Sequence, residues 1–334
     1  MTRANKKRST SELIADLHAE DIRIRRKALK SLGKRADEDT MKPIAATLHD
    51  PDEGVRVAAV KALGYLGPIA LDTLVGALHN DYAAVRQQAA LSLGALHHPG
   101  ALKPLTRALN DPDILVRGFA AHALSEIGDQ SATPALVAAL DDPEFIVRRY
   151  VVDALGGLGD PRAVEPLARI LFDEDTNTRL NAIDALARIG VPAREPLIGA
   201  LQHPDAPVRQ HAALAVGNLG LQTAIPMLLT AAQADSEALV RGFATHSLGR
   251  LRNIADEPDM LRAILTATHD PAAVVRRYAA DALALRPDPA ALARLIELLQ
   301  DDVDENVRHH AAKALGKFPQ VRAQEALQAA GYGS

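Results

Sequence analysis

Small and apolar residues recur along this chain at helical spacing, and the recurrence is itself periodic. In the stretch Asp111 to Gly128, DPDILVRGFAAHALSEIG, an Asp turn leads into Val-Arg and then into small and apolar residues. Most units close on Leu-Gly. The Arg returns at Arg25, Arg56, Arg86, Arg117, Arg148, Arg179, Arg209, Arg241, Arg276 and Arg308, at intervals of 30 to 35 residues. A period in this range marks stacked supersecondary units, each of which buries its apolar face on its neighbours. On a helix turning about 100° per residue, the positions −1, +3, +7 and +10 from the Arg share one side. They predict the core. Positions +1, +2 and +5 share the opposite side and predict an open face.

Each unit reads as two helices. The first carries a Pro-Leu pattern, with Leu105 after Pro104, Leu167 after Pro166 and Leu197 after Pro196. Pro is tolerated in a first helical turn and kinks a helix elsewhere. A turn rich in Asp and Pro follows, as in Asp50-Pro51-Asp52, Asp111-Pro112-Asp113 and Asp142-Pro143, and Asp caps a helix N-terminus well. The second helix runs from Val-Arg to Leu-Gly, where Gly64, Gly94, Gly156 and Gly316 read as C-terminal stops. The expected organisation is a basic disordered tail over residues 1–11, one repeat solenoid over 12–320, and a cap and tail over 321–334. The widest interval, Arg241 to Arg276, predicts a longer loop around Asn253 to Asp259.

This skeleton resembles HEAT-like repeats, in the subfamily called phycobilisome (PBS) lyase-type, over residues 12–320. The resemblance implies an all-α protein: an α-solenoid of about ten helical hairpins, wound as a right-handed superhelix with the second helices lining a concave face. It also implies a ladder in which an Asp of one turn meets the Arg of its neighbour. An Asp stands six residues before the Arg in seven units, as Asp50, Asp111, Asp142, Asp173, Asp235, Asp270 and Asp302. The arginine row is therefore expected to fix the stacking rather than to bind anions.

Composition narrows the function classes. The absence of Cys excludes disulfides, thiolate metal sites and Cys nucleophiles. With 38 basic and 42 acidic residues the formal charge is −4, which argues against a dedicated nucleic-acid binder. No run is long and apolar enough to span a membrane, so a cytoplasmic protein is expected. There is no glycine-rich phosphate loop and no nucleophile elbow.

Residues that differ between units carry more information than those that repeat. LVRGFAAHAL (Leu115 to Leu124) reappears as LVRGFATHSL (Leu239 to Leu248), and VRRYVVDAL (Val147 to Leu155) as VRRYAADAL (Val275 to Leu283). Units three to five thus resemble units seven to nine, the signature of an internal four-unit duplication. Each copy sets Gly-Phe-x-x-His beside Arg-Tyr-x-x-Asp on adjacent helices. The candidate partner-binding residues are Phe119, His122, Arg149, Tyr150 and Asp153, with Phe243, His246, Arg277, Tyr278 and Asp281. Four of the chain's ten Phe and Tyr fall here, expected as exposed apolar anchors with a polar rim.

A metal reading would use His122 with Asp153 and His246 with Asp281, but two ligands make a weak site. The di-iron HEAT-like family, deoxyhypusine hydroxylase, uses His-Glu dipeptides, and this sequence has none. The pairs His97-His98 and His309-His310 read as solvated. No metal, cofactor or catalytic residue is expected. The sequence predicts a non-enzymatic scaffold binding a protein or peptide on its concave helix face, with no nucleic acid and no membrane as partner. The PBS lyase-type resemblance implies an alternative, a protein that binds a bilin or transfers it to phycobiliproteins.

Overall fold

The computed structural model of the chain describes residues 8–35, 38–251 and 257–332. It is all-α, an α-solenoid fold with no strand among the described residues, and no described helix is long and apolar enough to cross a membrane. The fold divides into two compact units, residues 1–166 and 167–334. Each contains five of the arginine-bearing second helices. In the first unit these are Ile22–Gly33, Glu53–Tyr65, Ala83–Ala95, Ile114–Ile127 and Phe145–Leu158. In the second they are Thr176–Ile189, Ala206–Asn218, Ala238–Arg250, Ala273–Leu283 and Glu305–Leu315. Within each unit every second helix packs on the next.

The helical pattern read from the sequence fills the core. Positions +3 and +7 from the Arg, from Ala28 and Leu32 to Ala311 and Leu315, are at most 1% exposed in all ten helices. Burying each Leu or Val of that row contributes about 1.5–3 kcal/mol of transfer free energy. The first helices are shorter, and several open with a 3₁₀ turn, as Pro99–Ala101 precedes Leu102–Ala108. Leu105, Leu167 and Leu197 of the Pro-Leu pattern are fully buried.

Where a turn carries Asp at both −6 and −4, the two acids divide the labour. The Asp at −4 caps the second helix: Asp52 accepts from Val55 N–H at 2.9 Å, and Asp113 from Val116 N–H at 3.0 Å. The Asp at −6 holds the turn and receives the preceding unit's arginine. Arg117 meets Asp142 with Nε–Oδ2 of 2.7 Å and Nη2–Oδ1 of 3.0 Å, while its Nη1 donates to the carbonyls of Asp111 and Pro112 in its own turn. Arg25–Asp50, Arg86–Asp111, Arg209–Asp235, Arg241–Asp270 and Arg276–Asp302 repeat this at 2.7–2.8 Å. Two units reach the same end by other means. Tyr82 offers its ring face to Arg56, whose guanidinium carbon lies 3.5 Å from the ring centroid. His203 replaces the −6 Asp, its Nδ1 accepting from Asp205 N–H at 3.1 Å, and Asp205 turns to take Arg179 at 2.6 Å.

Gly64, Gly94 and Gly156 are not helix stops. All three lie inside their helices, and the left-handed turns that follow belong to Gly67 (φ 77°), His97 (φ 48°) and Gly159 (φ 62°). Gly316 does follow its helix directly, in right-handed geometry. The Gly of Leu-Gly is instead a contact point. A Cβ on Gly94 would stand 2.8 Å from Ala123 Cα, and one on Gly249 would stand 2.7 Å from Ala282 Cα. Second helices touch there backbone to backbone. Of the loop expected around Asn253 to Asp259, residues 252–256 lie outside the described residues. Glu257 and Asp259 form the first turn of the Glu257–Ala267 helix. Of the expected tail, residues 1–7 lie outside the described residues, and Ser9 caps a helix that begins at Thr10.

Acid should loosen this fold in a defined window. Burial pushes the Asp235, Asp270 and Asp302 carboxyls up. Hydrogen bonds from Arg209, Arg241 and Arg276 and from turn N–H groups outweigh it, so all three sit below the usual 3.8. A carboxyl depressed in the folded state contributes stability above its unfolded pKa and loses it as pH falls through the folded value. His203 and His246 are pushed below 6.5 by burial, which favours their neutral forms. Their contribution is intact above about pH 6.5 and declines as pH falls below it. The thermal unfolding midpoint is expected to be flat from pH 7 to 8, to decline slightly below about pH 6.5, and to fall steeply below about pH 4. A midpoint unchanged down to about pH 3 would contradict the ladder's role in stability.

Candidate functional site

Each compact unit brings one Phe/Tyr constellation together from two neighbouring second helices. In the first, Gly118, Phe119 and His122 lie on Ile114–Ile127, and Arg149, Tyr150 and Asp153 on Phe145–Leu158. The glycine explains the geometry. A Cβ on Gly118 would stand 2.6 Å from Tyr150 Cδ2, so the Tyr150 ring lies directly on the backbone of the preceding helix. Phe119 meets that ring edge-on, with centroids 5.9 Å apart and planes at 68°.

The second unit repeats the arrangement. A Cβ on Gly242 would stand 2.6 Å from Tyr278 Cδ2, and the Phe243 and Tyr278 centroids are 5.0 Å apart. Such pairs contribute about 0.5–1.5 kcal/mol beyond the area they bury. The Arg277 guanidinium carbon lies 4.9 Å from the Tyr278 centroid. In both copies the arginine Nε, of Arg149 and of Arg277, is buried without a hydrogen-bond partner.

The four aromatics are half-buried rather than exposed, contrary to the sequence expectation. Their neighbours cause this. The flanking second helix covers one side of each ring, and the +1 glycine lets the following Tyr sink to the backbone. The polar members diverge between the copies. His122 is exposed, 3.9 Å from Glu126, and Asp153 is exposed. His246 turns inward onto Tyr278, centroids 5.9 Å apart, and leaves its Nδ1 buried without a partner. Asp281 pairs with His310 Nδ1 at 2.9 Å rather than with His246. His310 is therefore an ion-pair partner, and His309 lies beside Tyr332. His97 and His98 also serve the fold: His97 Nδ1 lies 2.6 Å from the Glu126 carbonyl, and His98 accepts from Gly100 N–H. Among the described residues no group of three His, Asp or Glu side chains converges as a metal would require.

The +1 glycine was readable in the sequence as half of Gly-Phe, but its role depends on the Tyr of the following unit. The orphaned arginine Nε groups left no sequence signal. Half-buried aromatics flanked by Arg, His and Asp side chains suit recognition of an extended peptide or a protein surface.

Five matches to the family described as HEAT repeats, at residues 10–94, 71–149, 133–201, 194–272 and 258–331, cover nearly the whole chain, and the protein belongs to that family. Among solved structures it is similar to Kap95p in the Kap95:Nup1 complex, at 17% identity and a TM-score of 0.71, covering 96% of this chain and 52% of that one. It is equally similar to yeast importin-beta (Kap95p) alone, at 17% identity and 0.70, with the same coverage. Kap121p bound to Nup53p matches at 14% identity and 0.69, over 96% of this chain and 42% of that one. The chain thus spans about half the length of these karyopherins, and the likeness is one of fold. No curated protein matches the sequence.

Proposed function

We propose that this HEAT-repeat protein is a non-enzymatic scaffold that holds a partner protein or peptide on its second-helix face, through Phe119, His122, Arg149, Tyr150 and Asp153 and their counterparts Phe243, His246, Arg277, Tyr278 and Asp281. The observation that carries the reading is the duplication in three dimensions. The same Gly–Tyr contact, the same Phe–Tyr pair and the same unpartnered arginine Nε occur in both compact units. A ladder position recurs in nearly every repeat because packing requires it. This constellation recurs in two repeat pairs only, as a duplicated recognition element would. Kap95p and Kap121p, of similar fold, have been solved with Nup1 and Nup53p. We further read the residues from the Thr10 helix to residue 320 as the repeat array, those up to Ser9 as a basic tail, residues 321–334 as a cap, and the cytoplasm as the working compartment.

The test is capture from native extract on wild type and on a variant carrying Phe119→Ala, Tyr150→Ala, Phe243→Ala and Tyr278→Ala, each first checked for helical content. Loss of a specific partner is expected, with affinity reduced by about thirtyfold or more per disabled patch. Because half-buried rings also pack, Arg149→Ala with Arg277→Ala serves as the second variant and should weaken the same partner. Unchanged capture by both variants would refute the reading.

The repeats' Val-Arg and Leu-Gly skeleton resembles that of the phycobilisome-lyase type, and under that reading a bilin is the competing occupant. Its propionates would then meet Arg149 and Arg277. Co-expression with bilin synthesis is expected to give colourless protein; a tinted product would favour the bilin.

A further inference from the structure

The face formed by positions +1, +2 and +5 changes character in the first repeat. There the three positions are Arg26, Lys27 and Lys30, all exposed. Arg23 and Lys34 extend the row along the Ile22–Gly33 helix, at the i, i+4, i+7 and i+11 spacing that shares one helix face. The neighbouring Glu53–Tyr65 helix answers with Ala58, Lys61, Ala62 and Tyr65. Between the two helices lies a groove of about 600 Å³, lined by six cations and no carboxylate.

Of these cations only Arg23 is in an ion pair, with Asp21 at 3.4 Å. Arg26, Lys27, Lys30, Lys34 and Lys61 have no ion-pair partner among the described residues. Arg26 instead lays its guanidinium over Gly54, where a Cβ would come within 3.5 Å of it. Like charges at helical spacing repel, and this chain is otherwise acidic, at −4 overall. Tyr65, half exposed at the groove's end, and the two alanines give it an apolar floor.

We infer that this groove binds an acidic peptide segment with an apolar residue set among its carboxylates. The site is separate from the Phe/Tyr patches and does not rest on their function. The volume suits a few residues of extended chain. The lining favours a peptide over nucleic acid. A single-stranded polynucleotide requires several stacking aromatics along a basic track, and the groove has one. Its cations are confined to two helices of a net-acidic chain, whereas polynucleotide affinity grows with the number of phosphates met.

The probe is a labelled deca-glutamate peptide with one central Leu, measured by fluorescence anisotropy on the full chain at low ionic strength. Controls are the glutamine version of that peptide, deca-glutamate without the Leu, and a single-stranded oligonucleotide of equal charge. Binding of the Leu-bearing acidic peptide is expected, weakening as salt screens it. The combined variant Lys27→Glu, Lys30→Glu and Lys61→Glu, all exposed positions, should weaken it by about tenfold or more with unchanged helical content. Tyr65→Ala should cost about threefold for the Leu-bearing peptide and leave the all-glutamate peptide unaffected. Three results would each overturn the assignment: binding no tighter than the glutamine control, tighter binding of the oligonucleotide, or full binding retained by the charge-reversed variant.

Discussion

Asp270→Ala is expected to destabilise the second compact unit by about 2–3 kcal/mol, one of the two largest single-residue effects anticipated in this protein. Asp270 accepts two hydrogen bonds from Arg241, at 2.7 and 2.9 Å, and a third from Ala272 N–H at 2.8 Å. Both side chains are largely buried, at 15% and 10% exposure. Removing the acid leaves a buried guanidinium with only the carbonyls of Asp235 and Ser236. It also frees the turn N–H. Asp270→Asn should cost about half as much, because the amide oxygen can still hold the turn. Urea unfolding of the three proteins measures the series. Hydrogen exchange should place the lost protection in the Ala238–Arg250 and Ala273–Leu283 helices, as expected where each repeat depends on its nearest neighbours. Equal stability of all three would mean that the ladder follows the stacking without supporting it.

The second large effect concerns volume rather than charge. Gly249→Val should cost about 3 kcal/mol or more. The new Cβ would stand 2.7 Å from both Cα and Cβ of Ala282 and 3.1 Å from its carbonyl oxygen. These atoms are the neighbouring helix backbone and the methyl fixed to it, none of which can rotate away, so the two helices must separate. Gly76→Ala is the opposing control. Gly76 is exposed within Leu71–Ala77, with nothing within 4 Å of a built Cβ. That substitution should stabilise by about 0.5–1 kcal/mol through lost unfolded-state freedom. Thermal shifts of opposite sign at the two glycines are the expected result. A shift of the same sign would remove the close-contact explanation.

Ala28 and Leu32, with their nine repeats, were legible as core because helical period alone assigns a face. The Asp–Arg partnership was legible because both residues recur at fixed spacing. Gly64 and Gly94 were misread, since a glycine after Leu at a helix end carries the same sequence signal as a stop. Only the distance to Ser92 or Ala123 on the next helix tells the two apart. Phe119 and Tyr150 were correctly brought together, but their burial was not, because it depends on how closely two helices approach. His203 could not be foreseen as a substitute for aspartate, since its role rests on a turn geometry that accepts any suitably placed acceptor. The cations of the first groove were visible one by one as Arg26, Lys27 and Lys30. A whole-chain charge of −4 averages such a cluster away.

The arginine staple points one way. Within each compact unit the guanidinium grips its own turn and reaches for the acid of the turn that follows, or, from Arg56, for the Tyr82 ring. A stack built on such a rule has unlike ends. At the final repeat, Arg308 holds the carbonyls of Asp302 and Val303, while its outward nitrogens meet no carboxylate among the described residues. At the first repeat the −6 position is Ala19, and the turn's Asp is Asp21 at −4. An acid lost from one turn therefore strips the arginine of the repeat before it, and the damage travels one repeat toward the N-terminus rather than away from it.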